Sequence, residues 1–280
     1  MVVIKNDIVY DKTKELKTDI YYPNDTSSNT KILIFWHGGG WFRGDKESVK
    51  NLGIRFANAG FMTFIPDYSL APKYHFPAAH EDALHFVDWL LNSEYTDQDD
   101  VKNIVQIGAS VGGEMAIEVA GKYGFPTVTW SAPVEYSNWI KDHQDTKASP
   151  DAANDFGITD PEKIRQSFYK YFTLTYTGTE DEAVLQKLDA KSFDYSHLKQ
   201  LMMINSADEL TPLATVLDFV KFLADKNLGV QLLVIPGHGH AMAYGPDYVD
   251  ESLDIILNLK ILPEELLSTI LANAKDQSAY

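Results

Sequence analysis

Apolar runs and amphipathic stretches alternate along most of this chain, and that order constrains its fold more than any other feature. Residues 31–36 (Lys-Ile-Leu-Ile-Phe-Trp) are almost continuously apolar, the pattern of a strand buried on both faces. Comparable short runs occupy 61–66, 101–107, 126–130, 200–205 and 230–235. Between them lie stretches with helical character at 47–59, 77–92, 111–123 and 212–226, and another at 247–260 follows the last run. In 77–92 the apolar residues Ala83, Phe86, Val87 and Leu90 recur at helical spacing behind a proline in the first turn. Gly60 stands where 47–59 has to stop, a fitting residue just past a helix end. Two further runs, 4–10 and 16–22, flank the polar turn 11–15 and read as a strand pair. Strands separated by helices predict an α/β fold with a mainly parallel central sheet and helices on both faces. With no internal repeat or low-complexity tract, residues 1–280 read as a single domain.

Two segments break the rhythm. Residues 131–199 separate the sixth strand from the seventh and are too long for a plain crossover. They hold a polar loop (141–154), a helix start at Asp160-Pro161, and an aromatic stretch with Phe168, Tyr169, Tyr171, Phe172 and Tyr176. A cap inserted after the sixth strand, lying over a site on the sheet, is the expected role. The tail, 263–280, has an apolar face (Leu266, Leu267, Ile270, Leu271) and is expected to pack on the body or on another subunit of a homo-oligomer.

Composition removes several function classes. The formal net charge is −16, so a nucleic acid or an anionic membrane surface is not an expected partner, because phosphate binding needs a basic footprint. No run of 18 apolar residues is present, so no transmembrane helix is expected. There is no cysteine, which removes disulfides and thiolate metal sites. The apolar stretch at Met1–Asp7 is too short for a signal peptide, so a cytoplasmic location is expected.

The chemistry-bearing residues sit where strands hand over to helices. Gly108-Ala109-Ser110-Val111-Gly112-Gly113 follows the run 101–107 and opens an amphipathic stretch. A G-x-S-x-G pattern in that setting lifts the serine on a sharp turn, exposed as a nucleophile, and makes Ser110 the candidate. His37-Gly38-Gly39-Gly40-Trp41 follows the buried run 31–36. Three consecutive glycines cost backbone entropy, but they let N–H groups line a tight concavity. With the N–H of Val111, those of Gly38 and Gly39, and of Gly40 beside them, are the candidate oxyanion donors. His37 is expected to brace the loop by hydrogen bonding. An orienting acid and then a base are expected later in the chain. Asp208 and Glu209 both follow the run 200–205, and Asp208, nearer the strand end, is preferred. His238 and His240 compete as the base in Pro236-Gly237-His238-Gly239-His240; His240, deeper in the loop before the last helix, is preferred. The H-x-H pair has no further metal-ligand cluster around it, so no metal is assigned. Ser131 follows a strand without an elbow, and Glu114 reads equally as a solvated residue or as one supporting the site.

These pieces together resemble the α/β-hydrolase fold, and in particular the hormone-sensitive-lipase-like esterases. The matching residues are His37-Gly38-Gly39-Gly40-Trp41, Asp67-Tyr68-Ser69-Leu70-Ala71-Pro72 with Phe76-Pro77-Ala78-Ala79, Gly108–Gly113, Asp208, and Gly239-His240. The resemblance implies a serine carboxylesterase acting on a small-molecule ester of short acyl chain or small aryl group. Ser110, Asp208 and His240 would form its triad, Trp41 would contact substrate, a cap would shape the acyl and alcohol pockets, and no cofactor would be needed. The glycine-tryptophan loop is also similar to that of kynurenine formamidases and of feruloyl or acetyl-carbohydrate esterases, so an arylformamide is an alternative substrate. A non-catalytic binding protein on the same fold would predict a broken triad. The chain departs from the family where Ser69 replaces a frequent arginine, which is expected to loosen a structural ion pair. It also departs where Val111 replaces alanine, with a larger side chain expected to narrow the pocket, and where the usual N-terminal cap helices give way to the strand pair beginning almost at Met1.

Overall fold

The computed structural model describes residues 2–24, 31–96 and 103–258. The expected tail helix at 263–280 lies outside the described residues. Among those residues the elements run β1 (Val3–Asp11), β2 (Leu16–Tyr22), β3 (Lys31–Trp36), α1 (Lys50–Asn58), β4 (Phe61–Pro66), α2 (Ala78–Leu91), β5 (Ile104–Ala109), α3 (Val111–Tyr123) and β6 (Thr127–Trp130). They continue with α4 (Ser137–Asp142), α5 (Ala152–Phe156), α6 (Pro161–Thr177), α7 (Glu182–Leu188), β7 (Leu201–Ser206), α8 (Leu213–Asp225), β8 (Val230–Ile235) and α9 (Val249–Asn258). The eight strands form one sheet in the order β1-β2-β4-β3-β5-β6-β7-β8. β1 pairs antiparallel with β2 and β2 with β4; every other neighbouring pair is parallel.

Alternation along β3 shows how the sheet is covered. Leu33 and Phe35 join an apolar cluster with Leu52 and Phe56 of α1 and Val249 and Leu253 of α9. Ile32, Ile34 and Trp36 join another with Phe86 and Leu90 of α2 and Met115 and Val119 of α3. Further along that second face, Leu201 and Met203 of β7 pack on Val216, Phe219 and Leu223 of α8. A strand buried on both faces needs apolar residues at successive positions, which is why β3 reads as a continuous run and not an alternating one. Gly60, just beyond α1, has φ +97°, the left-handed region that suits glycine after a helix. Asp160 caps α6, its carboxylate accepting from the Glu162 N–H, with Pro161 in the first turn and left-handed Gly178 at the far end. No helix among the described residues is long and apolar enough to cross a membrane.

The strand pair expected at the start of the chain is present, β1 pairing antiparallel with β2 from Val3 onward. Beneath Ser69 lies the buried carboxylate of Asp82, which accepts from the Ser69 N–H (2.8 Å) and pairs with Lys14 from the β1–β2 turn (2.6 Å). An ion pair at this position is thus made from the N-terminal strands.

Candidate active site

Parallel strands deliver their C-terminal ends to one edge of the sheet, and the site is assembled there. Ser110 follows β5 directly, at φ +54° and ψ −129°. Its N–H donates to the Trp130 carbonyl at the end of β6 (2.8 Å), and its own carbonyl accepts from the Gly113 N–H (2.7 Å). A non-glycine residue so placed is strained, and the surroundings hold it there. The flanking glycines are required by close approach. A Cβ on Gly108 would stand 2.4 Å from the Gly112 carbonyl oxygen, and one on Gly112 would stand 2.3 Å from the carbonyl oxygens of both Trp36 and His37. Gly112→Ala is therefore expected to destabilise the fold by about 3 kcal/mol or more, despite alanine's better helix propensity. Chemical denaturation would measure it, and a loss below about 1 kcal/mol would contradict the backbone contact.

His240 lies in the loop after β8. Its Nε2 is 2.9 Å from Ser110 Oγ, and its Nδ1 is 2.6 Å from Glu209 Oε2. The carboxylate can only accept, so Nδ1 carries the proton and Nε2 is left to accept from the serine hydroxyl. Glu209 Oε1 accepts from the Ser206 N–H (2.8 Å) and the Asn205 amide (3.3 Å), and its side chain is fully buried. The acid bonded to His240 is therefore Glu209, and the expectation of Asp208 is corrected. Asp208 points outward with 58% of its side chain exposed, pairing with Arg165 of α6 (2.5 Å) and with His238 (3.3 Å). The cause is local: the Asp208 N–H bonds to the Gly237 carbonyl across the β7–β8 ends, and the next residue turns inward beneath His240. His238, 80% exposed, makes no hydrogen bond to Ser110, whose hydroxyl is met by His240.

The loop carrying His240 is fixed by groups that sequence reasoning left aside. Ser131, immediately after β6 and itself at φ +54°, accepts from the Ala241 N–H (2.9 Å). Its Oγ lies 2.8 Å from the Tyr244 hydroxyl, which in turn donates to the Ile204 carbonyl. The proton order follows: Ser131 donates to Tyr244, and Tyr244 to Ile204. On the other side of the loop Ser206 Oγ donates to the Gly239 carbonyl. The available signal was position, since Ser131 and Ser206 both sit at strand ends beside the site.

The glycine loop lies against the serine. A Cβ on Gly38 would come within 3.0 Å of both Ser110 Cβ and the Ala109 carbonyl oxygen. Gly39 (φ +127°) turns so tightly that a Cβ would meet the Arg43 carbonyl oxygen at 1.9 Å. Among the described residues no protein acceptor takes the Gly38 or Gly39 N–H. Val111 opens α3, where a first-turn N–H has no acceptor within the helix. His37 braces the loop: its Nδ1 donates to the Gly38 carbonyl (2.8 Å), and its ring stacks on Tyr68 at 4.3 Å. Burial pushes its pKa down to about 4, so it stays neutral at neutral pH.

A cavity of about 390 Å³ opens above Ser110 and His240. Gly38, Gly39 and Gly40 line it, with Phe168 and Phe172 of α6, Leu210 and Met242 around them. Trp41 does not line it, which corrects the expectation of a substrate contact. Gly40 (φ +62°) and Trp41 (φ +58°) are both left-handed, and they turn the indole into the core, stacked on Tyr176 at 4.3 Å. The Val111 side chain likewise packs in the core and not into the cavity, so it does not narrow the pocket. Glu114 is buried, with the Tyr136 hydroxyl donating to its Oε2, and burial raises its carboxyl well above the usual carboxylate range.

Sheet order, elbow and histidine loop together define an α/β hydrolase, and residues 33–244 match the family described as having the alpha/beta hydrolase fold; the chain belongs to it. The esterase resemblance is borne out among relatives. The chain is 32% identical over 110 residues to an ethyl acetate hydrolase of Pseudomonas putida, covering 38% of this chain and 35% of that protein. It is 25% identical over 153 residues to carboxylesterase 20 of Arabidopsis thaliana, covering 50% and 46%. It thus spans less than half the length of these curated relatives. Its fold is that of esterase B from Lactobacillus rhamnosis (TM-score 0.67, 19% identity, covering 99% of this chain and 87% of that one). An esterase of Pyrobaculum calidifontis is equally similar in fold (TM-score 0.68, 19% identity, 91% and 84% covered).

Proposed function

We propose that this protein is a serine carboxylesterase that hydrolyses short-acyl or small aryl esters through an acyl-enzyme. The observation that carries the reading is the unbroken relay from Ser110 through His240 to Glu209, at 2.9 and 2.6 Å, on the floor of the cavity. His240 Nε2 takes the hydroxyl proton as Ser110 Oγ attacks the ester carbonyl, and Glu209 stabilises the imidazolium that results. The N–H groups of Gly38, Gly39 and Val111, with Gly40 completing the loop, hold the oxyanion. His240 returns the proton to the leaving alcohol; a water deprotonated by His240 then attacks the acyl-enzyme and releases the acid. The segment 131–199 serves as the cap, contributing Phe168 and Phe172 as an apolar roof.

A fluorophosphonate probe should label Ser110, and a panel of p-nitrophenyl esters from acetate to decanoate should be turned over fastest at the short end. Decanoate matching acetate would contradict a pocket of this size. Failure of the probe to reach Ser110 would favour a non-catalytic binding protein. N-formylkynurenine belongs in the same panel: turnover exceeding that of every ester would make the arylformamide the substrate class.

A further inference from the structure

Arg43 gives the cavity a charge that the ester reaction itself does not need. Among the described residues lining the cavity it is the one permanently charged side chain, and no aspartate or glutamate joins it there. It has no ion pair with any described carboxylate, in a chain of net charge −16. Its position is built: the Arg43 N–H donates to the Gly39 carbonyl (3.2 Å), which ties the residue to the glycine loop. The guanidinium carbon lies 5.2 Å from the Phe42 ring centre and 5.5 Å from that of Phe168. Two rings at those distances steady the cation, and the residue is exposed, so its N–H donors can reach a ligand. Arg43 and Ser110 line the same cavity, and its volume is that of a site for one small molecule, so a group on Arg43 and a carbonyl over Ser110 can belong to the same ligand.

We propose that Arg43 selects esters carrying a carboxylate a few carbon atoms from the scissile carbonyl, on the acid or the alcohol side. A guanidinium fork matches a carboxylate in geometry, and one positive charge matches a monoanion better than a phosphate dianion. The acidic surface does not prevent this, because salt screens its field beyond about 8–10 Å while the contact at Arg43 is direct. This selectivity rests on the reading of Ser110 as the nucleophile of an esterase.

The test compares kcat/KM, read as acid release at constant pH, for monoethyl adipate against ethyl hexanoate and for 4-acetoxybutanoate against butyl acetate. The first pair puts the anion on the acyl side and the second on the alcohol side. In at least one pair the wild type should favour the anionic ester about 3- to 10-fold. That ratio should vanish in Arg43→Gln, persist in part in Arg43→Lys, and invert in Arg43→Glu. An anion-to-neutral ratio that is the same in wild type and Arg43→Gln for both pairs overturns the proposal, even if all four rates fall together; Arg43 would then only latch Phe168 to the glycine loop. Neutral esters hydrolysed without that ratio leave the esterase reading standing. No hydrolysis of any ester, with Ser110 unlabelled, removes both.

Discussion

Replacing Ser110 by alanine is expected to cut turnover of p-nitrophenyl acetate by about 10⁴- to 10⁶-fold, with the fold intact. In free-energy terms the barrier rises by about 5–8 kcal/mol. The hydroxyl is what His240 Nε2 contacts at 2.9 Å, and alanine leaves no atom that can form the acyl-enzyme. What survives is water attack assisted by the oxyanion donors. The fold should be untouched because the elbow is held by backbone contacts, the Ser110 N–H to Trp130 and the Gly113 N–H to the Ser110 carbonyl. Circular dichroism and a thermal melt accompany the kinetics, so a lost rate cannot be mistaken for a lost structure. A rate within tenfold of wild type would remove Ser110 from the chemistry.

The second large effect separates two adjacent acids. Glu209→Gln is expected to lower kcat by about 10³- to 10⁴-fold, and Asp208→Asn to change it by less than about threefold. Glutamine keeps an oxygen for the Ser206 N–H, so the loop survives, but its amide can donate to His240 Nδ1. That stabilises the tautomer whose proton sits on Nε2, where it can no longer accept from Ser110. Asp208 loses only exposed pairs with Arg165 and His238 when it becomes asparagine. Steady-state kinetics on the two variants decides the matter; equal losses, or the larger loss at Asp208, would reverse the assignment.

The one-residue difference between those acids marks how far the sequence is legible. The succession of strands and helices around the sheet and the G-x-S-x-G elbow follow from periodicity and small-residue chemistry, and β3, β8 and α3 have the bounds their patterns predict, whereas α4, α5 and α7 within 131–199 carry no such pattern. Where boundaries move, they move by a few residues. The run 101–107 reads as a strand, and the described strand is Ile104–Ala109, because Gly108 and Ala109 continue the ladder against Trp36 and Trp130. Direction within a turn is another kind of fact. After β7 successive side chains face opposite ways, and proximity to the strand end does not say which of Asp208 and Glu209 faces His240. Trp41 fails for the same reason: two left-handed residues in succession rotate it inward, and only the backbone angles reveal this. Ser131 and Tyr244 are invisible for a further reason, since their bond joins residues 113 positions apart.

Gly38 is tight against the floor and Gly40 against the roof: a Cβ on Gly40 would meet Phe172 Cβ at 2.9 Å. Helix α6 is therefore an abutment for the glycine loop. Chamber size and loop support meet at one residue here but at different atoms. The atom that backs the loop is the Cβ of residue 172, which leucine or alanine keeps: either would enlarge the chamber for bulkier substrates while Gly40 stays abutted, and only glycine at 172 would take the contact away. Changes at Leu210 or Met242, which line the chamber from other elements, would alter preference without reaching that contact at all.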